Sequence, residues 1–236
     1  MKQSKKIVGT MLGGAMLFAS ASSQAAVITH SDTIATTSTN WGATPLSVSQ
    51  FDSNLGTLTQ VGLFFSANVD GTANAESLDA APALVTLDIS ANVNLDLSSL
   101  SSVADFLFTN VGDSTSVNLS AFDGTIDFSG TSGVGPINLS GTDSDSRLIT
   151  DAGDLGLFTG LGTISFDAFA FGNSTGSGAG NLITQFATNA GADLLVEYTY
   201  DATSTPPATV PEPGTLALLG LGLAGLGYRS RKAKKA

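Results

Sequence analysis

VTLDISANVNLDL, residues 85–97, alternates without a break. Val85, Leu87, Ile89, Ala91, Val93, Leu95 and Leu97 are apolar, and Thr86, Asp88, Ser90, Asn92, Asn94 and Asp96 lie between them. A period of two sustained over this length sets one face against a core and the other in water. On a helix the same side chains would be scattered around the circumference. This stretch is read as a half-buried β-strand.

Working outward, Val61, Leu63, Phe65, Ala67 and Val69 repeat the pattern, with Asp70-Gly71 read as the turn that ends it. Leu194, Val196, Tyr198 and Tyr200 repeat it again, with Asp193, Glu197 and Thr199 outward. Ile164 to Phe171 is apolar on nearly both faces, as a central strand requires. Asp123-Gly124 is a second turn signal. Helix signals are scarce, with short candidates at Leu97–Phe106 and Asp151–Phe158. No repeat of 20–50 residues stands out. The expected fold is all-β: a single antiparallel β-sandwich or jelly-roll-like domain, with a β-helix as the competitor.

The two ends differ from this middle. Lys2, Lys5 and Lys6 precede an apolar core from Ile7 to Phe18, and Ser23-Gln24-Ala25 supplies small residues for a signal peptidase. Residues 1–25 are read as a signal peptide cleaved after Ala25, with Ala26 as the near alternative. Residues 26–200 form the body. Residues 201–210, DATSTPPATV, are a Pro/Thr linker, and residues 211–236 are a separate C-terminal unit.

Charge is divided as sharply. Of nine basic residues, Arg147 alone lies between Ala26 and Val210, against nineteen of the twenty acids, which gives that span a formal charge of −18. A body without lysine cannot hold nucleic acid through its phosphates. It is also repelled by anionic lipid and acidic polysaccharide unless divalent cations intervene. There is no cysteine, so neither disulfides nor thiolate metal sites are available to this exported chain.

Candidate chemistry is sparse. Gly172-Asn173-Ser174-Thr175-Gly176 spells a nucleophile elbow, but Gly-Ser-Gly-Ala-Gly surrounds its end where a helix must begin. His30, the single histidine, is expected on an edge strand and not in a zinc site. Gly220 to Gly225 spells G-x-G-x-x-G inside the apolar tail and lacks the strand that a dinucleotide site needs. Asp123 and Asp127 stand too far apart along one strand for glycosidase work unless Gly124 bends it. Asp143, Asp145, Asp151 and Asp154 offer hard oxygen donors in an apparent loop, although an EF-hand begun at Asp143 would place Leu148 where glycine belongs. A calcium-dependent binding module is the alternative reading they support. Asn118, Asn138 and Asn173 each open an N-x-S/T triplet. Trp41, Tyr198 and Tyr200 are read as core or rim before sugar platform. No catalytic, cofactor-binding or metal residues are nominated, and no enzymatic activity is expected.

The tail is the most informative part for handling. VPEPGTLALLGLGLAGLGYRSRKAKKA, 210–236, sets Pro211-Glu212-Pro213 before an apolar run from Leu216 to Gly227. A basic cluster of Arg229, Arg231, Lys232, Lys234 and Lys235 follows. The prolines break regular structure, the apolar run can enter a bilayer as a short transmembrane helix, and the basic cluster stops transfer. The run is shorter than the roughly 20 residues of a stable span. In order and spacing this tail resembles the PEP-CTERM sorting signal of Gram-negative bacteria. That resemblance implies export, transient residence in the inner membrane, and processing by exosortase near Pro211–Pro213.

HSDTIATTSTNW (30–41), LSVSQFDSNLGTLTQV (46–61), AFDGTIDFSGTSG (121–133), LGLFTGLGTISF (155–166) and GSGAGNLITQFATNAGADLLVEYTY (176–200) are similar to the choice-of-anchor E domain. Both resemblances imply a β domain directed to the cell surface, the outer membrane or an extracellular matrix. Such systems are tied to exopolysaccharide and biofilm, so a structural or adhesive partner of extracellular polysaccharide is the expected role.

Overall fold

The structure, a computed structural model, describes residues 25–203. Residues 1–24 and 204–236, which hold nearly all of the expected signal peptide, most of the expected linker and the C-terminal unit, lie outside them. Nine strands and one short helix follow in order: β1 (Ala25–Ser38), β2 (Thr44–Ser49), β3 (Gly56–Ser77), β4 (Ala83–Asp96), β5 (Phe106–Leu119), β6 (Gly133–Ile149), α1 (Ala152–Leu157), β7 (Thr163–Gly172), β8 (Thr175–Ser177) and β9 (Leu182–Ala202). One sheet runs β1-β9-β3-β6 and the other β2-β7-β4-β5, with β8 added beside β4. All these pairings are antiparallel. β4–β5 and β7–β8 follow one another within one sheet, and every other connection passes between the sheets, in jelly-roll order.

Residues 85–97 behave as their alternation dictates. Val85, Leu87, Ile89, Ala91, Val93, Leu95 and Leu97 are all fully buried. They join Leu63, Phe65, Leu194 and Val196 from the opposite sheet in one apolar cluster. β7 is a central strand, as its two-sided apolarity requires, lying between β2 and β4.

Three local expectations are corrected. Asp70-Gly71 is not a turn, because β3 continues to Ser77 and both residues pair with β6 and β9. Glycine is needed at position 71 for close approach, since a Cβ there would sit 2.0 Å from the Ala187 carbonyl oxygen. Leu97–Phe106 is not helical. It is a turn segment closed by Leu97 N–H donating to the Asp105 carbonyl at 2.6 Å and pinned by buried Leu100. Strand β9 also reaches Ala202, so Asp201 and Ala202 belong to the sheet and not to the linker. The second helical candidate is α1, with Asp151 as its N-cap accepting from Gly153 and Asp154 N–H.

The sheet edges meet at two corners, and a carboxylate spans each. Asp32 on β1 accepts the Ser47 N–H of β2 at 2.8 Å, and Asp113 on β5 accepts the Ser140 N–H of β6 at 3.2 Å. Edge N–H groups thus gain a partner, and the edges carry negative charge that discourages pairing with another chain. At the second corner glycine meets glycine: a Cβ on Gly141 would lie 2.2 Å from the Gly112 carbonyl oxygen.

Tyr198 fills the centre of the core beside Phe51 and Phe158, and its hydroxyl donates to the Ser49 carbonyl at 2.8 Å. Burial pushes its phenol up to about 12. Tyr198→Phe is expected to lower unfolding free energy by about 1 kcal/mol, the net value of one hydrogen bond. Urea denaturation with an unchanged m-value checks this.

Candidate functional site

The acids singled out in the sequence are dispersed. Asp143 and Asp145 lie within β6 and not in a loop, and Asp145 accepts from Arg147 Nη1 at 3.0 Å. Asp151 is occupied as the α1 cap. Asp154 is only 2 % exposed and turns toward the β4–β5 connection. There its two oxygens accept from both the backbone N–H and the hydroxyl of Ser101 and of Ser102. Burial alone would raise this carboxyl, but the Ser101 and Ser102 hydrogen bonds outweigh it and hold it at about 2. Among the described residues no group of three or more His, Asp or Glu side chains is placed to hold a metal ion.

Asp123 and Asp127 lie in the β5–β6 connection and not in one strand. Asp123 accepts from Thr125 and Thr131 N–H, and Asp127 from Ser129. The Asp123 carboxyl is lowered, chiefly by the Thr125 N–H. Buried Glu76 holds the same connection, accepting from Phe128 N–H at 2.8 Å and from the Ser132 hydroxyl at 2.6 Å. These carboxylates are turn-formers.

Ser174 hydrogen-bonds the Thr188 hydroxyl at 2.7 Å, whereas His30 lies on edge strand β1 against the Tyr198 ring. They do not form a nucleophile–base pair. Trp41 is half-buried against the core, and Tyr200 packs on Phe51, so neither joins Tyr198 in an outward platform. Asn118, Asn138 and Asn173 are all exposed.

What the structure does bring together is a groove of about 450 Å³ on the outer face of the β1-β9-β3-β6 sheet. One row of paired residues crosses all four strands: Ser31, Leu195, Phe64 and Ser146. The next row is Thr33, Asp193, Ser66 and Ser144. Phe64 is 44 % exposed and Leu195 40 %, although both stand at outward positions where alternation calls for polar side chains. Phe64 is held by an absence. Its Cε2 lies 2.9 Å from where a Gly62 Cβ would be, so the ring rests over glycine on the neighbouring outward position. Hydroxyls and the Asp193 carboxylate border this apolar floor, and the Thr33 hydroxyl donates to Asp193. The arrangement has no nucleophile–base pair. It combines an exposed aromatic ring with neighbouring hydroxyls and one carboxylate.

Reading the strands for their inward residues passed over this groove. Its signal was present as Gly62-Leu63-Phe64, a glycine and an aromatic on the face opposite the core.

The expected processing residues fall at or beyond the limits of the described chain. Ala25 is the first residue of β1, paired with Asp201. Pro211, Glu212, Pro213, Arg229, Arg231, Lys232, Lys234 and Lys235 lie outside the described residues. Among the described residues no helix is long and apolar enough to cross a membrane.

Comparison with solved structures returns a structure of the infectious bursal disease virus Gt strain at 11 % identity, covering 92 % of this chain and 52 % of that one, with a TM-score of 0.11. It also returns the T13 IBDV viral particle at 12 % identity, covering 94 % and 51 %, with a TM-score of 0.14. The chain spans about half the length of these proteins, and likeness at such TM-scores carries no argument. No curated protein matches. The PEP-CTERM protein-sorting motif matches residues 209–232, a range that contains Pro211–Pro213 and ends at Lys232. The chain therefore carries a PEP-CTERM sorting motif, the mark of an exported protein processed by exosortase.

Proposed function

We propose that this protein is a non-enzymatic component of the cell surface or extracellular matrix, with a structural or adhesive role in exopolysaccharide or biofilm. The sorting motif at residues 209–232 carries the reading, because it directs a folded acidic domain outward without assigning it a reaction. The similarity of the body to the choice-of-anchor E domain agrees with it. Signal peptidase removes the leader at Ala25, and exosortase acts near Pro211–Pro213. Extracellular polysaccharide is the partner. The jelly-roll body, closed at both corners, suits a domain that must last outside the cell without disulfides.

Intact-mass spectrometry of the protein from its host, taken separately from membrane, surface and medium, tests this reading. The expected species begins near Ala26, lacks Arg229 to Ala236, and is found at the surface or in the matrix. A membrane species that keeps Arg229 to Ala236 would show a plain anchor and sink the proposal.

A further inference from the structure

The groove over Gly62 has the features of a ligand platform, and its charge restricts the ligand. Phe64, 44 % exposed on the groove floor, keeps much of its ring in solvent. The electron-rich face of that ring attracts the polarised C–H groups on the apolar side of a sugar ring. The surrounding groups suit the sugar's edge. The Ser31, Ser66 and Ser146 hydroxyls both donate and accept, and the Asp193 carboxylate accepts from sugar hydroxyls. The residue rows cross four strands, so the groove is open to a chain longer than one sugar.

Charge decides among occupants. Arg147, the one Lys or Arg of the body, is tied to Asp145 and to the Ser146 carbonyl. Asp193 stands in the groove and Glu197 beside Gly62. A uronic-acid or sulfated polymer would meet repulsion with no cation to offset it. A second copy of the chain would bring another body with a formal charge of −18. We infer that the outer face of the β1-β9-β3-β6 sheet binds an uncharged polysaccharide, with the Phe64 ring over Gly62 as its stacking platform. This inference rests on the matrix role proposed above and names the ligand class for it.

The test uses the full chain in a detergent without sugar headgroups, run in native gels containing a soluble β-glucan, a galactomannan or alginate. Retardation by at least one uncharged polymer and none by alginate is expected. Phe64→Ala should weaken binding at least tenfold. Gly62→Val should weaken it to a similar degree without touching the polymer, because its Cβ displaces the ring. Phe108→Ala, which removes an exposed aromatic from the opposite sheet, should leave retardation unchanged. Circular dichroism establishes that each variant is folded. Preference for alginate overturns the inference, as does retardation that survives both groove variants. Absence of retardation by both uncharged polymers, with the chain folded, overturns it too. Concentration-dependent mass in sedimentation that is lost in Phe64→Ala would mean that the groove joins copies of the chain instead. Any of these results would leave the sorting outcome measured by intact mass standing, so the two proposals fail separately.

Discussion

Asp154→Ala is expected to destabilise the body by about 3 kcal/mol, because four donors on Ser101 and Ser102 lose a charged acceptor in a site that is closed to solvent. For a domain of this size that corresponds to a fall in Tm of roughly 6–12 °C. Asp154→Asn preserves the shape and one acceptor oxygen, so about half the loss is expected. The pH dependence follows from the carboxyl's position. Its folded value of about 2 lies below the ordinary 3.8, so its contribution is complete above 3.8 and disappears as pH falls through about 2. Melts between pH 7 and pH 2 should therefore converge for the wild type and Asp154→Asn at the acid end. A constant gap between the two curves would show that ionised Asp154 is not what ties the β4–β5 connection to α1.

Gly141→Val is the second large effect. The added Cβ would stand 2.2 Å from the Gly112 carbonyl oxygen, against backbone that cannot swing aside as a side-chain tip does. Either β5 or β6 must move, and the Ser140 N–H bond to Asp113 is lost with the movement. Overpacking of this kind costs about 3 kcal/mol. Gly141→Ala meets the same oxygen and should lose nearly as much, whereas Gly156→Ala, where nothing lies within 4 Å of the new Cβ, should be nearly neutral. Equal melting temperatures for Gly141→Ala and Gly156→Ala would refute the close contact at this corner.

How much of this was legible depended on whether a strand has one buried face. β4 buries every second residue from Val85 to Leu95, so its period was visible in the order of residues. β6 is an edge strand with few buried positions, and its run from Gly141 to Ile149 therefore read as part of a loop reaching Asp154. That misreading placed Asp143 and Asp145 beside Asp151 and Asp154, and with them an apparent calcium ligand set. The partners of Asp154 lie more than fifty residues away, and no local pattern could supply them. Gly71 was misread for the opposite reason. Asp-Gly is a turn signal when glycine is needed for φ, but here glycine is needed for space. The groove was partly legible: its glycine and aromatic are visible in the sequence, but the hydroxyl rows exist only once β1, β6 and β9 come into register.

The place of β9 has a mechanical consequence. It is the last strand before the sorting tail, yet it lies inside its sheet, paired with β1 on one side and with β3 from Gly56 to Ser77 on the other. A pull on β9 directed along its strand axis would shear both ladders together and would not unzip them one bond at a time. The Thr203 N–H bond to the Leu55 carbonyl is the first to take the load. The proposed sugar platform lies on the same sheet, which gives force a short path from tether to ligand. In a single-molecule experiment, a pull from the C-terminal end against a surface holding the groove should meet one high rupture event, not a staircase of small ones.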